Sequence, residues 1–247
     1  MLIKDRFPQY TGIIEYLRDM NSEKLGIPPS KIYQMLLDLP ERIKPSELYT
    51  LISDKNHDAI KRISSAQNIP EYYLIRPIML YGISECYRAK QCKEILDKGL
   101  INEFGALMNI SHNGDRVAYY DDKGACHEYD WSLPDSKLEQ LIEDLKSENP
   151  EHVLRAQIEN QSGGYGCSTP EIDYMVDVAN EVPGVVGAQI SGAGLGGCIM
   201  VLVKDEAVED LVTRLEKVYY VLRGLKSDIT PCVPVKGSGV LEVRLFP

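Results

Sequence analysis

The sequence predicts an α+β fold, a mainly antiparallel sheet with helices on one face. Three observations lead there. A glycine-rich run, Gly187 to Cys198, is flanked by β-favouring Val185, Val186 and Ile190 and by the unbroken apolar stretch Cys198–Val203, so it joins two strands with no helix between them. Amphipathic helical stripes precede and follow that hairpin, and the first fifty residues carry helical spacing without a strand pattern.

The elements follow in chain order. Ile13, Ile14 and Leu17 keep helical spacing; Pro28 and Pro29 start a second segment with Ile32, Met35 and Leu36, and Pro40 ends it. Residues 1–69 are therefore expected to be a helical segment packed on the main domain, residues 70–247. Beyond Pro70, a long helix running to about Leu96 carries Ile83, Cys86, Tyr87, Lys90 and Ile95; Pro77 must kink it or delay its start, and Gly99 closes it. Ile101, Phe104, Leu107 and Met108 predict a second helix ending near Ser111-His112 and antiparallel to the first. From about 113 to 166 the character changes to a hairpin around Asp121–Gly124 and a Leu138/Leu141/Ile142/Leu145 helical stripe. Ser168, followed three positions later by Glu171, reads as a capping box with Pro170 in the first turn. After Pro183-Gly184 come strand, glycine run, strand and a helix from Asp205, with terminal strands expected at Cys232–Val235 and Val240–Leu245.

Composition narrows the function classes. Of 247 residues, 44% are hydrophobic and 26% charged, the balance of a soluble globular protein able to build a sizeable core. A formal charge of −10 argues against nucleic acid or an anionic membrane as partner, since phosphate surfaces are met by clustered Lys and Arg. The six cysteines form no Cys-x-x-Cys pair, which disfavours zinc and thioredoxin-like readings and suits reduced thiols. No apolar run approaches the ~20 residues of a membrane span, and the N-terminus lacks the apolar core of a signal peptide, so a cytoplasmic location is expected.

Glycine costs nothing at positive φ and carries no Cβ, so backbone N–H groups of the run could converge on an anion. A tight hairpin needing only turn glycines has the same spacing, and both readings stay open from spacing alone. A P-loop would need Gly-Lys-Ser/Thr and a Rossmann fingerprint a following helix; neither is present. Among the smaller constellations, Ser111-His112 suits a helix end and Glu85/Arg88 a surface i,i+3 pair. Asp121-Asp122 and Glu171/Asp173 suit solvated or capping carboxylates, with no metal ligand set expected.

Taken together, these residues carry a resemblance. The Gly187–Cys198 run resembles the third motif of the GHMP small-molecule kinases, and Ser168-Thr-Pro-Glu171-Ile-Asp173, Phe104–Met108 with Ser111-His112, and Glu85 with Arg88 resemble the galactokinase branch in the same order. Tyr81 stands where galactokinases have a His and Gln189 where a basic residue is usual; Arg76-Pro-Ile is similar to plant arabinokinase-like relatives. The family's N-terminal sugar-binding Gly-Glu-His and Ser-rich phosphate-loop motifs are not in this sequence. The resemblance implies a ferredoxin-like C-terminal domain, with about 113–166 as an insertion relative to typical galactokinases, of an ATP-dependent sugar kinase acting on the C1 hydroxyl of galactose or a related sugar such as arabinose or galacturonate, inactive alone. Ser191, Gly192, Ala193, Gly194, Gly196 and Gly197 would line the substrate and phosphate cleft. The catalytic residues, and most contacts to ATP and Mg2+, would come from an N-terminal kinase half. That half and the sugar are the implied partners. An exposed apolar patch beside the glycine run is expected, through which a homodimer could also form. The alternative implied is a non-catalytic sugar-binding sensor or regulatory module derived from the same fold.

Overall fold

The computed structural model describes residues 1–65, 69–193 and 197–233. Helices dominate the first two thirds. Short helices α1 (Leu2–Arg6) and α2 (Ser22–Leu25) lead to α3 (Pro29–Leu37), whose Ile32, Tyr33, Met35 and Leu36 are fully buried. Strand β1 (Arg42–Ile43), helices α4 (Leu48–Leu51) and α5 (His57–Ser64), and strand β2 (Tyr73–Leu74) follow. β1 and β2 pair antiparallel. This corrects the reading of the first fifty residues as free of strand: a two-residue ladder has no periodicity to reveal it.

α6 (Arg76–Asp97) starts with Pro77 in its first turn, where a missing N–H costs no helical bond, and Gly99 at φ +69 turns the chain into α7 (Ile101–Asp115). Strands β3 (Ala118–Tyr120) and β4 (Cys126–Glu128) make a hairpin, followed by α8 (Asp135–Asp144) and α9 (Pro150–Arg155). α10 (Pro170–Asn180) opens on Thr169, not Ser168: the residue before Pro170 is forced into extended backbone (φ −132, ψ 158), and its hydroxyl accepts from the Ile172 N–H at 3.4 Å. β5 (Val185–Ser191) and β6 (Cys198–Val203) form the predicted antiparallel hairpin, and α11 (Val208–Leu215) continues into a single π turn over Glu216–Tyr220. The α+β class holds, with the described strands in three two-stranded antiparallel sheets. The described part of the first terminal strand, Cys232–Val233, carries no strand pairing; the remainder of both terminal strands lies outside the described residues.

Two apolar clusters hold these elements. One joins Ile3, Phe7, Ile32, Met35 and Leu36 to Leu80 and Ile83 of α6 and to Leu138, Leu141 and Ile142 of α8. The other joins Ile172, Val176 and Ala179 of α10 to Ala188 and Ile190 of β5 and to Leu211 and Leu215 of α11. α10 and α11 thus bury one face of the β5–β6 hairpin, while α7 lies along β5. Among the described residues, no helix is long and apolar enough to cross a membrane.

Candidate functional site at the hairpin turn

β5 ends at Ser191, which pairs with Cys198 at the start of β6. Gly192 follows at φ +72, a backbone region that side chains rarely adopt, and nothing lies within 4 Å of where its Cβ would be. Gly192 therefore serves a backbone requirement rather than a packing one. Gly192, Ala193 and Gly197 are exposed and Ser191 is half-buried. Gly194 and Gly196 lie outside the described residues. The turn thus presents its described backbone to open surface.

Below the turn, a cleft of about 430 Å³ opens between the hairpin and the α6–α7 pair. Phe104, Leu107 and Met108 of α7 and Met200 and Leu202 of β6 make most of its wall, while Glu85, Arg88, Ser111 and Gln189 supply polar groups. Met200, two residues into β6, is 48% exposed. Cys92, also lining it, has its thiol pushed up by burial and by the nearby Glu85 carboxylate.

Three constellations sit differently from their sequence reading. Arg88 is buried, not a surface partner: besides Glu85 it donates to the carbonyls of Glu159 and Gln161 at 2.8 and 2.7 Å, pinning that turn onto α6. Spacing identified the neighbour on the helix and could not reveal the carbonyls from 70 positions away. His112 does not end a helix, since α7 runs three residues further, and it is 1% exposed. Its Nδ1 accepts from the Ile190 N–H at 3.3 Å, and its Nε2 lies 3.3 Å from Asp173 Oδ1. Asp173 is fully buried rather than solvated or capping, and its Oδ2 accepts from the Val117 and Ala118 N–H groups at 2.9 and 2.8 Å. Burial alone would raise its pKa; the nearby His112 and Ser168 side chains and the hydrogen bonds from those two amides outweigh it and hold the carboxyl below the usual range.

A second buried carboxylate, Asp115, has the opposite balance. Tyr81 Oη and Cys167 Sγ donate to it at 3.0 and 3.1 Å, but burial dominates and raises it. Burial and Asp115 together push the Cys167 thiol up to about 12. Among the described residues, no group of three or more His, Cys, Asp or Glu is gathered as a metal site. The fit of the described residues to a nucleotide phosphate is through open turn backbone and the Ser191 hydroxyl, with no acidic set for Mg2+.

The site is an antiparallel hairpin with a glycine-containing, open turn, backed by helices on one face. Residues 139–221 match the family model "GHMP kinases C terminal". A galactokinase of Bacillus subtilis (strain 168) is 39% identical over 80 residues, covering 32% of this chain and 20% of the relative. The galactokinase of Roseiflexus sp. (strain RS-1) is 35% identical over 157 residues (64% and 28%), and that of Staphylococcus carnosus (strain TM300) 25% over 186 residues (72% and 36%). Residues 139–221 are thus similar to a GHMP kinase C-terminal domain, and the chain is similar to galactokinases over part of their length. These alignments reach between 20% and 36% of the relatives' own lengths.

Proposed function

We propose that this chain forms the C-terminal part of an ATP-dependent sugar kinase that phosphorylates the C1 hydroxyl of galactose or a related sugar, and that it is inactive without an N-terminal kinase half. The turn Ser191, Gly192, Ala193 and Gly197, with Gly194 and Gly196, would form one wall of the cleft. Its backbone N–H groups are suited to stabilising charge on the transferring phosphoryl group. The observation that carries this reading is the turn itself: a left-handed, exposed Gly192 at the mouth of a hairpin within a galactokinase-like domain. When bound, ATP with Mg2+ would supply the phosphoryl group and its charge neutralisation; this chain's own contribution is to orient and exclude water. The apolar cleft beside the turn suits the docking of the companion half, because burying Met200 and Phe104 there removes apolar surface from water.

The test is reconstitution in trans. The chain is mixed with the N-terminal part of a galactokinase relative and offered ATP, Mg2+ and a panel of aldoses that includes galactose, arabinose and galacturonate. ATP-dependent formation of a sugar 1-phosphate is the expected result, with Gly192→Ala lowering kcat/KM by about tenfold or more because φ +72 strains a side chain. Saturable sugar binding without turnover would instead favour the sensor reading. Neither turnover nor binding would overturn both.

A further inference from the structure

The side of β5 away from β6 presents N–H and C=O groups that a further strand would normally satisfy. A stripe of three α7 residues meets it instead. Gly105 abuts the backbone at Val186, where an added Cβ would lie 2.2 Å from the carbonyl oxygen. One turn on, Asn109 Oδ1 accepts from the Ala188 N–H at 2.9 Å. Beyond it, His112 Nδ1 accepts from the Ile190 N–H at 3.3 Å. The two periods match: residues 105, 109 and 112 share a helix face, and 186, 188 and 190 share a strand edge. The lengths do not. Seven helical residues rise ~10.5 Å, whereas four strand residues span ~13 Å, so helix and strand cannot stay in step. The first rung is backbone against backbone, and the next two are δ-position acceptors of equal reach, Asn109 Oδ1 and His112 Nδ1, so the slippage shows as the longer contact at Ile190.

We propose that His112 is a positioning residue for the Ser191–Gly192 turn, the outermost rung of this brace; the inference rests on reading that turn as the ligand-contacting element. An Nδ1 that accepts carries no proton, so the ring proton sits on Nε2, facing Asp173 Oδ1. Asp173 is itself held by the Val117 and Ala118 amides. The imidazole is thereby oriented by α10 and by the segment entering β3, and Ile190, the last buried residue before the turn, inherits that orientation.

Two substitutions separate the arms of the ring. In His112→Asn the amide oxygen takes the place of Nδ1, and in His112→Gln the amide nitrogen reaches toward Asp173 while the acceptor for Ile190 is lost. Amide exchange at Ile190, read by NMR with thermal unfolding as the control for global stability, is expected to be about tenfold faster in His112→Gln than in His112→Asn, the factor that one hydrogen bond of ordinary net strength supplies. The imidazole nitrogen shifts of the unaltered protein should mark Nδ1 as unprotonated. Equal exchange in both variants, or a protonated Nδ1, overturns the brace. Inorganic pyrophosphate serves as the ligand probe: shifts at the Ser191 and Gly192 amides in the unaltered protein and His112→Asn, weakened in His112→Gln, support the positioning role. Pyrophosphate that moves neither amide in the unaltered protein overturns the turn reading, and the exchange ratio still decides the brace.

Discussion

At the C-terminal end of α7, Asp115 is 5% exposed and receives donors from Tyr81 and Cys167 but, among the described residues, no cation within salt-bridge distance. Its raised folded-state pKa makes it a group that favours folding when protonated. That stability is fully present below the unfolded value, ~3.9, and is lost as pH rises through the folded value. Asp115→Asn keeps an acceptor oxygen without the charge. Its thermal midpoint at pH 7 is therefore expected to lie above that of the unaltered protein, with the advantage shrinking as pH falls through the raised folded value and gone below about pH 4, where both side chains are neutral. A variant that is less stable at pH 7 would mean that the lost acceptor geometry outweighs the relieved charge. Asp173, held low by its donors, works the other way: its contribution is present above the unfolded value and lost as pH falls through the folded one.

Among the elements, α7 and β5 meet backbone to backbone, Gly105 against Val186 and Gly187. Alanine at 105 would gain about 1 kcal/mol of helix propensity. A Cβ 2.2 Å from a backbone oxygen forces the helix off the strand, at a cost of about 3 kcal/mol or more, so the clash wins. Gly105→Ala is expected to be destabilised by about 2 kcal/mol or more in urea titration. The same comparison locates what the sequence discloses. The β5–β6 hairpin, the long helix closed at Gly99 and the placement of Pro170 in the first turn of α10 are written in local periodicity and in proline and glycine placement, and all three form as read. Arg88, His112 and Asp173 are not legible that way. Their partners lie 50 to 80 positions distant in the chain, and helical spacing says which face a residue shares without saying what packs there. The open Gly192 was visible as a glycine; that its role is a left-handed φ and not close packing needed the backbone itself.

Across the whole molecule, the chain divides its apolar residues between two clusters, and the first of them binds the N-terminal helices to residues beyond 130. Within that first cluster Tyr33 makes the link polar as well: fully buried, it donates its hydroxyl to the Ala156 carbonyl at 2.8 Å. Tyr33→Phe leaves that carbonyl without its donor, and a loss of about 1–3 kcal/mol is expected in equilibrium unfolding. A loss near zero would show that water reaches the carbonyl in its place. The family match begins at residue 139, inside the stretch expected to be an insertion, and α8 of that stretch packs directly on α3.

Gly164 and Gly166 both lie against the ring of Trp131, with Gly164 also donating its N–H to Pro77 at the head of α6. Since the sequence holds a single tryptophan, its fluorescence arises wholly from this junction of the 161–167 loop, α6 and the segment after β4. The protein therefore carries a built-in optical reporter. A change in emission on adding an N-terminal half or a sugar would register rearrangement of that junction directly, with no label attached and no other indole to dilute the signal.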